Sequence, residues 1–210
     1  MNRLILLFTS FIFSIHCGTN KKGNNVLLQA AVKDFDKGEF QSCQIKLQEY
    51  TDKYPEDYRG WSFLGTVALK TENDSLASIA YSKAISINPE DFKALTGLGV
   101  LARYNKDYDK AADYYNKAIL IDPTYAKAYS SLVIIELKKG NVHKAIELGE
   151  KAVKLEPEAL DIKGNLAVAY HVNKEFEKRD SLVTEMRLKG YPDVRYLKLI
   201  FEGVVTIEDL

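Results

Sequence analysis

The chain has 210 residues, 46% of them hydrophobic, and Lys+Arg and Asp+Glu both number 29, so its formal net charge is zero. That length suits one sizeable domain or a short repeat array, and the hydrophobic content argues against wholesale disorder. The balanced charge lacks the basic excess typical of nucleic-acid binders, and the 2 cysteines allow one bridge at most.

Residues 1–17 read MNRLILLFTSFIFSIHC. Arg3 is followed by a mostly apolar run from Leu4 to Ile15. As a helix that run spans about 18 Å, against roughly 30 Å for a bilayer core. It is short for a membrane span and the right length for a secretion signal; a buried N-terminal helix is the alternative. Cys17 closes the run and is followed by the small, polar stretch GTNKKGNN. This pattern resembles a bacterial lipoprotein signal, whose cysteine becomes the lipidated first residue of the mature protein. The resemblance implies a signal peptide over 1–16, a lipid on Cys17, a short tether over 17–23, and an exported, membrane-anchored protein of the cell envelope. His16 and Ser14 depart from the family pattern, which has a small residue and a Leu-like residue there. A secreted or periplasmic soluble protein cut nearby is the competing reading.

Beyond the tether the prolines set the organisation. Pro55, Pro89, Pro123 and Pro157 stand 34 residues apart, and Pro192 follows after 35. A repeat of this length signals a solenoid. Each proline disfavours helix in the residue before it and so ends one helix. The acidic pairs Glu56-Asp57 and Glu90-Asp91 suit the positive N-terminal end of the next. Between prolines, DKGE (36–39), TEND (71–74), YNKD (104–107), KKGN (138–141) and VNKE (172–175) recur at one phase, which predicts helix, short turn, helix in each unit. Gly38 and Gly140 accept positive φ there without cost, and asparagine tolerates it in the others.

Small residues form columns: Ala77, Ala111 and Ala145, then Ala84, Ala118 and Ala152. Opposite run Leu64, Leu98, Leu132 and Leu166, with Gly65 and Gly99 beside the first two, and Tyr81 and Tyr115 are bulky inserts. Small side chains let a partner helix approach, and large ones fill the holes. With Trp61-x-x-Leu64-Gly65 ahead of it, this column set resembles the tetratricopeptide repeat (TPR) family. The resemblance implies an all-α solenoid forming a right-handed superhelix, with five repeats at 24–57, 58–91, 92–125, 126–159 and 160–193. Cys43 takes an alanine place in the first repeat and reads as a buried thiol. Gly149 replaces an aromatic in the fourth, and Lys163, Arg179 and Met186 depart from the pattern in the fifth. Residues 194–210 read as a capping helix and tail, with Val194, Leu197, Ile200 and Phe201 facing the last repeat.

Motifs of catalysis are missing. There is no His-Glu-x-x-His, no paired-cysteine metal spacing, no phosphate-binding Gly-x-x-x-x-Gly-Lys and no Gly-x-Ser-x-Gly. The sequence therefore predicts a non-catalytic protein without metal, cofactor, small-molecule substrate or nucleic-acid partner. TPR solenoids bind along a concave surface lined by the first helix of each pair. Column by column, that face would carry Arg59, Lys93 and Lys127, changing sign at Asp161; then Ser62, Thr96 and Ser130; then Thr66, Val100 and Ile134; with Arg103 and His171 following. The expectation is a small, partly apolar floor with a basic edge; a merely solvated edge is the alternative. The carboxylate clamp of some TPR modules is missing, because Leu28, Val32 and Phe63 occupy its places. The predicted function is a protein–protein adaptor of the bacterial cell envelope that holds a protein or peptide segment in this groove. Alternatives are an assembly or piloting factor for a pilus or outer-membrane complex, and a scaffold that self-associates through the tail VVTIEDL.

Overall fold

The structure, a computed structural model, describes residues 21–192, 194–204 and 206. Cys17 and the expected signal peptide lie outside these residues, as do Val205, Ile207 and Leu210 of the tail.

Eleven helices follow one another among the described residues, with no strand between them. They are α1 (Lys21–Asp36), α2 (Phe40–Lys53), α3 (Tyr58–Lys70), α4 (Asp74–Ile87), α5 (Phe92–Tyr104), α6 (Tyr108–Ile121), α7 (Ala126–Lys138), α8 (Val142–Leu155), α9 (Leu160–Val172), α10 (Phe176–Leu188) and α11 (Val194–Phe201). Each odd-numbered helix from α1 to α9 pairs antiparallel with the helix after it, and that second helix packs on the first helix of the next pair. The architecture is an all-α TPR solenoid.

The punctuation of the sequence explains the helix ends. Each proline of the 34-residue series stands two residues beyond a second helix. Asp57 and Asp91 cap the first helices that follow: Asp57 accepts from the Arg59 amide, and Asp91 from the amides of Lys93 and Ala94. These bonds satisfy donors that a helix start leaves orphaned. Tyr125 and Ala159 hold the corresponding places of α7 and α9 and supply no side-chain cap.

The turns inside the pairs differ from expectation. Gly38 and Gly140 do take positive φ. In the other three turns the left-handed residue is Glu72, Lys106 or Lys174, with φ of 57°, 60° and 61°. The neighbouring asparagines remain at negative φ, Asn73 as a helix N-cap and Asn105 and Asn173 as C-caps. One closing bond recurs through all five turns, from the amides of Glu39, Asn73, Asp107, Asn141 and Glu175 to a carbonyl five residues back. That bond dictates which position turns left-handed, whatever residue occupies it.

The small columns are core. Ala77, Ala84, Ala111, Ala118, Ala145, Ala152 and Cys43 are fully buried. Tyr81 fills the gap left by two glycines, since a Cβ at Gly65 or Gly97 would lie 2.6 or 2.2 Å from its ring. Tyr115 uses Gly99 in the same way, at 2.5 Å. At Gly149 the aromatic is missing and the next repeat moves in: a Cβ there would come within 2.9 Å of Leu166. Lys163 is 5% exposed and pairs with Glu185 at 2.5 Å. Met186 is fully buried, and Leu197 and Ile200 of α11 close the same apolar cluster.

Candidate functional site: the face of the first helices

The basic column occupies the second position of α3, α5 and α7, so the solenoid repeat presents it as a row along one edge. Its members are not equivalent. Arg59 clamps Asp57 with Nε to Oδ1 at 2.9 Å and a terminal nitrogen to Oδ2 at 2.6 Å. Tyr50 donates its hydroxyl to the same carboxylate at 2.6 Å. The Arg59 hydrogen bonds hold the Asp57 carboxyl below the usual carboxylate range, while burial, reinforced by Asp57, pushes the Tyr50 phenol up to about 12. Arg59, although exposed, is therefore already paired with a carboxylate of its own helix start. Lys93 and Lys127 are exposed, and neither has a carboxylate partner among the described residues.

Beneath the row lie Ser62, Thr96 and Ser130, each under a tenth exposed. The hydroxyls of Thr66 and Thr96 bond to carbonyls one turn back on their own helices, Ser62 at 3.1 Å and Phe92 at 2.9 Å. With those hydroxyls turned to the backbone, the threonines offer a floor that is more apolar than its composition. Val100 packs half-buried in the Tyr115 cluster. Arg103 is half-buried and lies over the Tyr104 ring, 4.9 Å from its centroid.

Toward the C-terminal end the face closes. Asn165 on α9 donates to the Ser130 hydroxyl at 2.9 Å and to its carbonyl at 3.1 Å. Ile134 and Val168 are buried in one cluster, which removes their side chains from an open floor. His171 stands apart from the row. Its Nδ1 accepts from the Arg179 guanidinium at 2.9 Å, and its ring lies 4.8 Å from that of Phe201 on α11. Burial, helped by the Arg179 charge, pushes the His171 imidazole down from its ordinary value. The open stretch thus runs along α3, α5 and α7, around Lys93, Thr96, Val100, Arg103 and Lys127.

Two contributors escaped the sequence reading. Asn165 follows Phe63, Gly97 and Ser131 in its column, and a long amide among those residues was a legible signal. Tyr115 was read only as packing, yet its buried hydroxyl has Arg103 and Ser131 as polar neighbours.

On the other side, α8, α9 and α10 enclose a crevice of about 410 Å³ walled by Val153, Leu166 and Leu182. Its rim charges are largely engaged: Glu150 accepts from Tyr170 at 2.7 Å, and Lys178 pairs with Glu175 at 2.6 Å. Among the described residues no group of three His, Cys, Asp or Glu side chains could hold a metal ion, and no helix is long and apolar enough to cross a membrane.

Comparison with known proteins agrees with this architecture. The chain superimposes on PilF of Pseudomonas aeruginosa with a TM-score of 0.69 and 16% identity, over 90% of this chain and 86% of that one. A thermophilic TPR protein of Thermus thermophilus gives 0.71 and 16%, over 86% and 97%. MamA of Desulfovibrio magneticus gives 0.59 and 19%, over 81% and 97%. At these identities the likeness shows the fold alone. No curated protein matches in sequence. The family model for the TPR domain of cytochrome c-type biogenesis protein H matches residues 21–159, well over half of the chain. The chain belongs to that family of TPR domains.

Proposed function

We propose that this protein is a non-catalytic adaptor of the bacterial cell envelope that holds an acidic segment of a partner protein along α3, α5 and α7. The observation that carries this reading is the contrast within one column. Arg59 is neutralised by Asp57, whereas Lys93 and Lys127 keep exposed ammonium groups without a carboxylate partner, beside a floor of small side chains. Such a floor lets a backbone come close, and charges at an exposed rim set association rate and partner choice. The family supplies the setting, since its name ties these TPR domains to cytochrome c-type biogenesis. An assembly role in that process, at the membrane or in the periplasm, is the reading we favour over a pilus or outer-membrane complex.

Export and a lipid on Cys17 belong to the same proposal. One acyl chain anchors a protein only marginally, so firm attachment needs the several chains of a lipoprotein cysteine. With α1 starting at Lys21, a tether over residues 18–20 spans at most about 10 Å extended, keeping the first repeat near the membrane. Intact mass of the membrane-extracted protein tests the anchor; an unmodified Cys17 removes it. The groove is tested by a photo-crosslinking residue at Val100 or, as control, at the exposed Asp113 of α6. Partner adducts from Val100 and none from Asp113 are expected. Equal adducts from both positions contradict a groove.

A further inference from the structure

Arg179 occupies the place that Ala77, Ala111 and Ala145 hold in the preceding repeats. A long cationic side chain therefore stands where the other pairs close on a methyl group. Its guanidinium lies 4.8 Å from the ring centroid of Phe176 and 5.0 Å from that of Phe201. It pairs with Asp180 at 2.7 Å and donates to His171 Nδ1 at 2.9 Å. The His171 ring in turn lies 4.8 Å from the Phe201 ring, tilted by 34°. One side chain of α9 and one of α10 thus hold the last residue of α11. Otherwise α11 is held by apolar contact, chiefly through Leu197 and Ile200 in the cluster around Met186. A helix of 8 residues is marginal by itself, so it depends on this docking.

A guanidinium carries donors only, so Nδ1 of His171 accepts and the docked ring is neutral. A proton on Nδ1 would set donor against donor and cation against cation. Arg179 cannot give up its charge and is fixed on its other side by Asp180, so the imidazolium has to give way. The carboxylates of the surrounding elements are engaged elsewhere or face solvent. Glu175 of the turn binds Asn173 and Lys178, Glu136 of α7 binds Asn141 and Lys144, Glu202 of α11 pairs with Lys198, and Glu177 of α10 is exposed. Lys174 of the turn and Arg195 of α11 are cationic, and His143 of α8 acts on Glu175. Among the described residues no carboxylate bonds the ring, and Arg179 is the charge that acts on it.

We infer that His171, Arg179 and Phe201 form a pH-sensitive latch, and that protonation of His171 releases α11 from the end of the solenoid. Release bares the apolar cluster of the fifth repeat around Met186. A released ring returns to its ordinary value of about 6.5 and binds a proton more readily than the docked one, so acid favours release. The ratio of released to docked α11 should rise by up to about tenfold per pH unit below about 6.5, until the docked ring itself takes the proton. The latch is independent of the groove, whose open stretch lies on α3, α5 and α7.

Isoleucine methyl NMR of the full chain with a neutral, soluble gadolinium chelate reads release directly, because the chelate relaxes only methyl groups that reach solvent. Ile200 on α11 is the reporter, and the fully buried Ile135 on α7 is the reference within the repeats. A titration from about pH 7.5 to 5.5 stays above the usual carboxylate range. Relaxation of Ile200 should increase as pH falls while Ile135 stays protected. His171→Gln should abolish the increase, and His143→Gln should leave it intact. Arg179→Gln should abolish it too, because a neutral amide can donate to the neutral ring and accept from the protonated one. An unchanged Ile135 signal shows that the repeats of each variant are folded. Ile200 protected throughout the titration of wild type overturns the latch. So does an increase that survives His171→Gln or Arg179→Gln. If Ile135 becomes exposed together with Ile200 in wild type, the solenoid opens as a whole and the latch is again overturned.

Discussion

The side-chain amide of Asn165 reaches from α9 to α7 and bonds Ser130 twice, at the hydroxyl and at the carbonyl. The contact coincides with Gly149, where Leu166 takes the room an aromatic has elsewhere. Together they close the fourth and fifth repeats against each other on this face. Asn165→Ala should cost about 1–2 kcal/mol, because it removes two bonds and leaves Ser130 underpaired. Chemical denaturation gives the loss. Hydrogen exchange should locate it in α7 and α9 while α3 and α4 keep their protection.

The left-handed turns predict gains. Glu72 and Lys106 sit in a conformation that costs residues with a Cβ about 1–2 kcal/mol, from which the greater freedom of glycine in the unfolded chain must be subtracted. Glu72→Gly and Lys106→Gly should therefore each stabilise the protein by about 0.5–1 kcal/mol. Gly140→Ala at the equivalent place should destabilise by about 1 kcal/mol. Urea midpoints of the three variants decide it, and a loss in either glycine variant would contradict the turn geometry.

The close helix contacts set a third expectation. Ala111 is fully buried on α6, whereas Asp113 on the same helix is exposed. Ala111→Trp should overfill the contact with α5 and cost about 2–4 kcal/mol, while Asp113→Trp should change stability by about 0.5 kcal/mol or less. Matched denaturation curves for the pair measure the difference, and equal effects reject the register.

Acid should destabilise the fold in two steps, the first at the C-terminal end. Asp34 accepts from Ser42 and Lys46, and the Lys46 hydrogen bond chiefly holds its carboxyl below the usual range. Burial pushes Glu136 up, but hydrogen bonds from Lys144 and Asn141, both at 2.8 Å, outweigh it and leave the carboxyl lowered. His171 is also lowered, by burial first. In all three the unfolded chain binds protons more readily, so stability rises with pH across each window. The His171 contribution is complete above its unfolded value of about 6.5 and is lost as pH falls toward the folded one. The carboxylate contributions are complete above about 4–4.5 and disappear below. Denaturation midpoints should fall first as pH drops below about 6.5, then again below about 4.5. Glu136→Gln should flatten the second step, and His171→Gln the first. A midpoint independent of pH from 7 to 4 would contradict these assignments.

The repeat was legible because its signals were independent of side-chain detail: prolines 34 residues apart, small columns and caps all set backbone positions. Ala77, Ala111 and Ala145 could be placed in the core from spacing alone. What the sequence could not show were choices among rotamers. Arg59 shares a column with Lys93 and Lys127, and only its geometry beside Asp57 shows that its charge is already spent. His171 falls at a groove position by count, yet its ring is taken by Arg179 and by Phe201 of a helix outside the repeats. The asparagine expectation at the turns failed for a related reason. Asn73, Asn105 and Asn173 are used as caps, and the closing bond puts their neighbours at positive φ.

The central claim is that Lys93 and Lys127 form the recognition edge of the face made by α3, α5 and α7. Reversing both to Glu should leave the helical circular dichroism and the denaturation midpoint near wild type, since both side chains are exposed and away from the packed columns. The control reverses Lys110 and Lys117, which are equally exposed on α6. With a partner recovered through the Val100 crosslink, binding of wild type and both double variants is compared at two salt concentrations. The account predicts loss of binding in Lys93→Glu/Lys127→Glu alone, with wild-type affinity falling as salt rises. An equal loss in the control, or wild-type binding insensitive to salt, would show that the row is only a solvated edge.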